Sequence, residues 1–125
     1  MSYEFSINEI RKYVACGLIG YYWLGWLDTD GGFVRKYIGR SDKSLLKRLV
    51  RQFQDKGMLY THFEFFPTQS ILEAFRKECA GYHYAIEKGN EIHPAHPKRL
   101  PYECQYCLSI PIGHDSPAIS QEVGV

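Results

Sequence analysis

The chain has 125 residues, a hydrophobic fraction of 45% and a formal net charge of +1, which together predict a single globular domain with a real core. The longest apolar run, YVACGLIGYYWLGWL, is broken by three glycines and is shorter than the roughly 20 residues of a membrane span, so we expect no membrane association. The N-terminal sequence MSYEFSINEI carries acids and no apolar signal region, which predicts a cytoplasmic protein without an export signal.

The first part of the chain predicts a helix followed by a β-hairpin. Ser6 and Glu9 form a capping box at the start of a helix expected over residues 7–15. Residues 19–27 are aromatic and apolar and predict a buried strand, and residues 33–39 predict the returning strand. The DTDGG sequence between them supplies Asp and Gly for the positive-φ positions of a tight turn.

The middle of the chain alternates between helix and strand. Ser41 or Asp42 is the expected cap of a helix with cations on one side and an apolar stripe on the other. That stripe comprises Leu45, Leu46, Leu49, Val50 and Phe53. Residues 59–67 alternate and are rich in aromatics, which predicts a third strand. Ser70 and Glu73 form a second capping box before a longer helix. The expected buried face of this helix holds Ile71, Phe75, Cys79, Tyr82 and Ile86.

This order of elements predicts an α+β domain in which a small three-stranded antiparallel sheet is flanked by helices. One domain is expected over residues 1–112, with an irregular segment at 90–112 and a flexible tail at 113–125. Because no export signal is seen, the four cysteines are expected to be thiols or metal ligands rather than disulfides. Cys16 and Cys79 stand in apolar surroundings, which predicts that both lie in the core.

Cations concentrate between residues 35 and 51, where the net charge is +6 against −5 for the rest of the chain. Such a block on a nearly neutral protein indicates either an anion-binding site or a solvated helix face. As an anion-binding site, it would contact the phosphates of a nucleic acid. The candidate phosphate-binding residues are Lys36, Arg40, Lys43, Lys47 and Arg51.

Two short motifs bracket the predicted hairpin, GYY at residues 20–22 and YIG at residues 37–39. The sequence GRSDKSLLKRL follows and leads to a helical arginine, and LEAFRKE in the last helix ends in a glutamate. Over residues 19–84 this pattern resembles the GIY-YIG nuclease family, although the first motif reads GYY rather than glycine-isoleucine-tyrosine. Lys47 competes with Arg48 for the place of the family's arginine, and we prefer Arg48 because it keeps the family's leucine register.

The resemblance implies a metal-dependent nuclease that hydrolyses phosphodiester bonds in DNA, or alternatively in RNA. It implies that Glu78 holds a single Mg²⁺ or Mn²⁺ ion, a hard cation that suits a carboxylate and several waters. Tyr22 would act as the base or orient the attacking water, with Tyr37 beside it, and Arg48 would clamp the phosphate. The departure in the first motif leaves an alternative open, a non-catalytic module of this fold that binds nucleic acid or a protein partner.

The irregular segment carries a second candidate site. His93 and His96 form a His-x2-His pair, and Cys104 and Cys107 form a Cys-x2-Cys pair. Two such pairs can close a tetrahedral zinc site, and a structural zinc ion would explain how a proline-rich segment stays folded without regular secondary structure. The alternative is a loop stiffened by its prolines, in which the cysteines are free thiols.

Overall fold

The computed structural model describes residues 1–85 together with Pro94, Ala95, Pro97 and Cys104. The predicted tail, most of the predicted irregular segment and Ile86 lie outside the described residues. In chain order the elements are β1 (Tyr3–Glu4), α1 (Ile7–Tyr13), β2 (Gly20–Leu27), β3 (Phe33–Ser41), α2 (Leu45–Lys56), β4 (His62–Pro67) and α3 (Ile71–Ala85). The predicted α+β class is confirmed, and none of the described helices is long and apolar enough to cross a membrane.

The sheet has four strands in the order β1-β4-β2-β3, and every neighbouring pair is antiparallel. The sequence predicted three strands, and the one it missed is β1, in which Tyr3 pairs with Phe63. A strand of two residues is too short to display an alternating pattern. It forms because it pairs with the edge of β4 that would otherwise be open.

The junction between β3 and α2 differs from the prediction. Ser41 pairs with Gly20 and is the last residue of β3, so the strand extends two residues beyond its predicted end. The helix is therefore capped by Ser44, whose Oγ accepts a backbone N–H of the first turn at 3.2 Å, rather than by Ser41 or Asp42. Ser41 instead accepts the backbone N–H of Ser44 at 2.8 Å, which fixes the turn from strand to helix.

The two other predicted helix caps and the predicted hairpin turn are present in the structure. Ser6 and Ser70 cap α1 and α3 by accepting the backbone N–H groups of Glu9 and Glu73, at 3.2 and 3.0 Å. In the hairpin turn, Asp28 Oδ1 accepts two backbone N–H groups, each at 2.9 Å. Side-chain oxygens thus satisfy the backbone donors at both helix starts and in the turn.

Helices cover both faces of the sheet. Tyr22, Leu24 and Phe63 share one face, because alternate residues of a strand point the same way, and they pack with residues of α1 and α2. Trp23 and Ile38 share the opposite face and pack with α3. The strand β3 lies at one edge of the sheet, where helices from both faces reach it.

The cysteines of the described residues divide between core and surface. Cys79 and Cys104 are buried, at 1% and 5% exposure, which confirms the prediction for Cys79. The same prediction is wrong for Cys16, which is exposed. Cys16 lies in the turn after α1, where Gly17 has a φ of +78°. This turn leaves Cys16 exposed, although its neighbours in the sequence are largely apolar.

Gly39, the last residue of the YIG motif, makes room for Tyr22. The two residues are partners in the register of β2 and β3, and a Cβ atom on Gly39 would collide with the hydroxyl and ring of Tyr22. Because this space is open, the Tyr22 ring lies over β3 and its hydroxyl reaches the edge strand. The two motifs found in the sequence are therefore in direct contact.

We expect Gly39→Ala to lower the free energy of unfolding by about 1–3 kcal/mol, because the new methyl group displaces a fully buried ring. Urea denaturation measures the change. Gly32→Ala is the matched control, since its nearest neighbour is the exposed Asp28 carboxylate at 3.3 Å, and it should change the free energy of unfolding by less than about 0.5 kcal/mol. Equal effects of the two substitutions would contradict the close approach of Tyr22 to Gly39.

Candidate active site

The four residues implied by the family resemblance come from four different elements. They are Tyr22 on β2, Tyr37 on β3, Arg48 on α2 and Glu78 on α3. The register of the hairpin pairs Tyr22 with Gly39 and Tyr37 with Leu24, so the two tyrosines lie on the same face of the sheet. Tyr22 is 1% exposed, whereas Tyr37 is half-buried.

The Tyr22 hydroxyl interacts electrostatically with the other three groups. Burial raises the pKa of Tyr22 well above its ordinary value, Tyr37 and Glu78 raise it further, and Arg48 lowers it. Burial also raises the pKa of Tyr37, with a further increase from Glu78 and an opposing effect of Arg48. Both phenols therefore stay protonated at neutral pH, the form that can donate a hydrogen bond.

A small cleft of about 110 Å³ lies beside these groups. Its walls are formed by Arg40, Asp42, Arg48, Glu78 and Ala95. Two guanidinium groups and two carboxylates thus surround a space that admits a few water molecules. Such a lining offers positive charge to an anion and oxygen ligands to a cation.

Arg40 occupies the centre of this charged group. Its Nη1 donates to Glu78 Oε1 at 2.6 Å, and its Nε and Nη2 donate to the two Asp42 carboxylate oxygens at 2.9 and 3.2 Å. The guanidinium also lies over the Phe75 ring, 5.1 Å from its centroid, and Arg40 is only 9% exposed. Arg40 is one of the predicted phosphate-binding residues, and in the structure its guanidinium lies against two carboxylates.

The role of Arg40 and Asp42 in this cleft was missed from the sequence. The available signal was strand alternation: Arg40 stands two residues after Ile38, so both point toward α3, the helix that carries Glu78. Asp42 gave no comparable signal, because it lies between β3 and α2, and it was considered only as a helix cap.

The Glu78 carboxyl is buried, at 9% exposure. Burial raises its pKa above the ordinary value of 4.5, Asp42 adds to this increase, and Arg40 followed by Arg48 opposes it. The charged form of Glu78 is thus disfavoured by the protein interior and depends on the neighbouring guanidinium groups.

The remaining predicted cations lie on α2, just before it, or on β3. Arg48 is exposed and its Nε donates to the backbone carbonyl of Arg40 at 3.2 Å, which holds the side chain at the cleft. Lys43, Lys47 and Arg51 are also exposed. Lys47 is not among the lining residues of the cleft, which favours Arg48 over Lys47 as the arginine of the motif. Lys36 lies apart from them, with its Nζ 4.9 Å from the centroid of the Trp26 ring.

The predicted zinc ligands are only partly described. His93, His96 and Cys107 lie outside the described residues, while Cys104 is buried with its Sγ 3.4 Å from His83 Nε2. Within residues 1–85 and the four further described positions, no group of three or more His, Cys, Asp or Glu side chains is arranged to hold a metal ion.

Comparison of the chain with protein-family models, with curated proteins and with solved structures found no match. The interpretation of the cleft therefore depends on the residues themselves. Their arrangement brings together two phenols, two guanidinium groups and two carboxylates from separate parts of the sequence.

The buried pair of Arg40 and Glu78 leads to a stability prediction. We expect Arg40→Gln to lower the free energy of unfolding by about 3 kcal/mol, because Glu78 then stays buried without its main partner. Arg11→Gln is the control. Arg11 is an exposed arginine on α1, so its substitution should cost less than about 0.5 kcal/mol.

The pH dependence of Arg40→Gln follows from the raised pKa of Glu78. Arg40 lowers that pKa in the native protein, so removing it raises the folded-state pKa further above the unfolded value. A carboxyl with a raised folded-state pKa loses its contribution to stability as the pH rises. The loss of unfolding free energy caused by Arg40→Gln, measured by urea denaturation, should therefore grow from about pH 5 to about pH 8. A loss that shrinks over this range would contradict the burial of Glu78.

Proposed function

We propose that the chain is a metal-dependent nuclease that hydrolyses phosphodiester bonds in DNA, or alternatively in RNA. The observation that carries this proposal is the position of Arg48 and Glu78 on the walls of one cleft, with Tyr22 and Tyr37 within electrostatic range of both. Phosphodiester hydrolysis needs an oriented water and positive charge that stabilises the charge developing on the phosphoryl oxygens. The cleft combines groups suited to both tasks. The expected cytoplasmic location belongs to this proposal as well.

The carboxylate of Glu78 suits a hard divalent cation such as Mg²⁺ or Mn²⁺, which prefers oxygen ligands and keeps several waters. The cleft has room for a few waters and holds a second carboxylate, that of Asp42, so its residues fit such an ion. Glu78 would hold the ion in this site. When bound, the ion supplies positive charge to the phosphoryl group and to the leaving oxygen.

Arg48 would bind the scissile phosphate. It is exposed, it lines the cleft, and its Nε is anchored to the Arg40 carbonyl. A planar guanidinium can present two parallel N–H groups to phosphate oxygens, which a lysine cannot do. The nearby exposed cations Lys43, Lys47 and Arg51 would contact flanking phosphates.

The tyrosines orient the attacking water in this proposal. Both hydroxyls remain protonated at neutral pH because burial raises their pKa values. Of the two roles implied by the family resemblance for Tyr22, orientation of the water is thus better supported than proton abstraction. The close approach to Gly39 puts the Tyr22 hydroxyl at the edge strand, within electrostatic range of Arg48 and Glu78.

A non-catalytic module that binds nucleic acid or a protein partner is the alternative, and one observation favours it. Glu78 Oε1 accepts a 2.6 Å hydrogen bond from Arg40, so the carboxylate that would hold the metal ion is already neutralised by a guanidinium. A nuclease must exchange this partner for the ion, whereas a binding module can keep it.

A cleavage assay with Glu78→Gln tests the proposal. Plasmid DNA, single-stranded DNA and RNA are incubated with the wild-type chain in Mg²⁺ or Mn²⁺, and we expect cleavage that requires the ion. Glu78→Gln should reduce the rate by more than about 100-fold, because it removes the charged ligand. Glu4→Gln, which changes an exposed glutamate on β1, is the matched control and should keep the wild-type rate.

The outcomes of that assay separate the two functions. If the wild-type chain cuts none of the three substrates but binds them in a salt-dependent manner, the binding module is correct and the nuclease is wrong. If Glu78→Gln and Glu4→Gln cut as fast as the wild type, the activity does not come from this cleft.

Tyr22→Phe tests the orientation of the water. We expect the cleavage rate to fall by about 10–100-fold, because the substitution removes only the hydroxyl, and the stability to change little. Tyr3→Phe is the control, since Tyr3 packs on the same hydrophobic core from the distant strand β1.

The raised pKa of Tyr22 further predicts that the wild-type rate does not rise between about pH 7 and about pH 9 through ionisation of this phenol. An ionisation in that range that disappears in Tyr22→Phe would show that Tyr22 acts as the base.

A further inference from the structure

A row of three aromatic rings leads from the candidate active site to the exposed end of the hairpin. The ring centroids of Tyr37 and Tyr60 are 6.2 Å apart, and those of Tyr60 and Trp26 are 6.4 Å apart. The Tyr60 and Trp26 rings are stacked, with 17° between their planes. Tyr60 is buried, whereas Trp26 is 40% exposed. Tyr37, Tyr60 and Trp26 thus form an aromatic row whose exposed end is Trp26.

Two lysines lie against the aromatic row. Lys56 Nζ is 4.9 Å from the centroid of the Tyr37 ring, and Lys36 Nζ is 4.9 Å from that of the Trp26 ring. Among the ion pairs of the described residues, none involves either lysine. Both positive charges are therefore available to an anion. Proteins bind single-stranded nucleic acids with this combination, because bases stack on the rings and phosphates pair with the cations.

The aromatic row extends well beyond the cleft. Trp26 pairs with Val34 in the hairpin, and Arg40, which lines the cleft, lies further along the same strand. Because a strand rises about 3.3 Å per residue, the positions of Val34 and Arg40 are about 20 Å apart. Trp26 therefore lies out of reach of a nucleotide held in the cleft and can contact only a flanking part of a bound strand.

We propose that Trp26 stacks on an unpaired base in a single-stranded flank of the substrate, and that Lys36 and Lys56 pair with the phosphates of that flank. In a duplex, neighbouring bases cover the faces of each base, whereas a single strand offers free faces to an aromatic side chain. The substrate class is thus a nucleic acid that is single-stranded on one side of the scissile bond. This inference rests on the proposed nuclease for the position of the cut, but the stacking itself needs neither a metal ion nor cleavage.

Lys36 must leave the face of the Trp26 ring when a base arrives. An exposed cation–aromatic contact stabilises less than the stacking of a base on an aromatic side chain, so the exchange is favourable. The lysine side chain is long and flexible, and its charge gains a phosphate in place of the ring. The stacking on Tyr60 already orients the Trp26 ring, which lowers the entropy cost of binding.

The hairpin turn limits the path of a bound strand. Asp28 and Asp30 are exposed in this turn, just beyond Trp26. Their carboxylates repel phosphates. We therefore expect the strand to follow the aromatic row toward the cleft rather than to cross the tip of the hairpin.

Exposed apolar side chains beside the aromatic row would also suit a second copy of the chain. They are Leu27, Met58 and Leu59. The two lysines favour a nucleic acid over this alternative, because a contact between copies would bring unpaired cations into an apolar interface.

Binding of oligothymidine labelled with fluorescein to the full chain tests the proposal. Fluorescence anisotropy is measured in EDTA, so that no metal-dependent cleavage occurs. We expect Trp26→Leu to weaken binding by more than about 5-fold, because the stacked base loses its aromatic partner. An oligomer of abasic sites carries the same phosphates without bases, and Trp26→Leu should leave its weaker binding unchanged. Lys36→Gln and Lys56→Gln should each reduce the slope of log affinity against log salt concentration by about 0.7, the value for one lost phosphate contact with a single strand.

Two control variants make this measurement specific. Leu27→Ala alters the next residue of β2, which is also 40% exposed, and should keep the affinity of the wild type. Lys12→Gln removes a lysine whose Nζ is 5.1 Å from the centroid of the Tyr13 ring, the same kind of contact near the opposite edge of the sheet. It should keep the salt dependence of the wild type.

Equal binding of oligothymidine by Trp26→Leu and the wild-type chain would overturn the proposal, and so would equal affinities of the wild type for oligothymidine and for the abasic oligomer. A dimer in analytical ultracentrifugation that Trp26→Leu dissociates would also overturn it and would assign this surface to a second copy of the chain. The nuclease is judged separately by the Glu78→Gln assay. If Trp26→Leu weakens binding while the wild type cuts no substrate, the stacking surface is correct and the nuclease is wrong.

Discussion

The ion pair between Arg40 and Glu78 joins the edge strand β3 to the helix α3. Both residues are about nine-tenths buried, and each would be costly to bury without the other. Asp42 completes the arrangement, because its carboxylate accepts hydrogen bonds from Nε and Nη2 of the Arg40 guanidinium as β3 turns toward α2. One guanidinium thus fixes a strand, a helix and the turn between strand and helix around the same cleft. The electrostatics of the candidate active site therefore depend on how the positive charge of Arg40 is shared between the Glu78 and Asp42 carboxylates.

The position of the cleft follows from the layered architecture. The tyrosines belong to the face of the sheet that is covered by α1 and α2, whereas Glu78 comes from the helix on the opposite face. Groups from opposite faces can meet only at the rim of a sheet, and β3 forms that rim. Tyr22 belongs to the inner strand β2 and reaches the rim only because it passes over Gly39. A glycine at this point of the edge strand therefore lets the Tyr22 hydroxyl come within electrostatic range of Arg48 and Glu78.

Features with a local cause could be predicted from the sequence, and features that depend on distant contacts could not. The caps at Ser6 and Ser70 and the turn at Asp28 are set by hydrogen bonds within four residues, so their patterns sufficed. The strand β1 exists only because β4 lies beside it, and no pattern in two residues reveals that. Arg40 looked like a surface cation because its partner lies 38 residues away. Within the described part of the chain, the motif named two residues that line the cleft, Arg48 and Glu78, but it did not reveal the charged partners Arg40 and Asp42.

The Tyr22 ring fills the space that a side chain at position 39 would need, so the side chains at positions 22 and 39 compete for the same volume. A side chain at position 39 can exist only if the ring at position 22 becomes smaller or turns away, so the two positions form an epistatic pair. A protein engineer who wishes to alter the first motif must treat both sites as a single unit of design. In a library of variants, tolerated pairs at these positions should therefore have a nearly constant combined side-chain volume, even where neither position alone tolerates change.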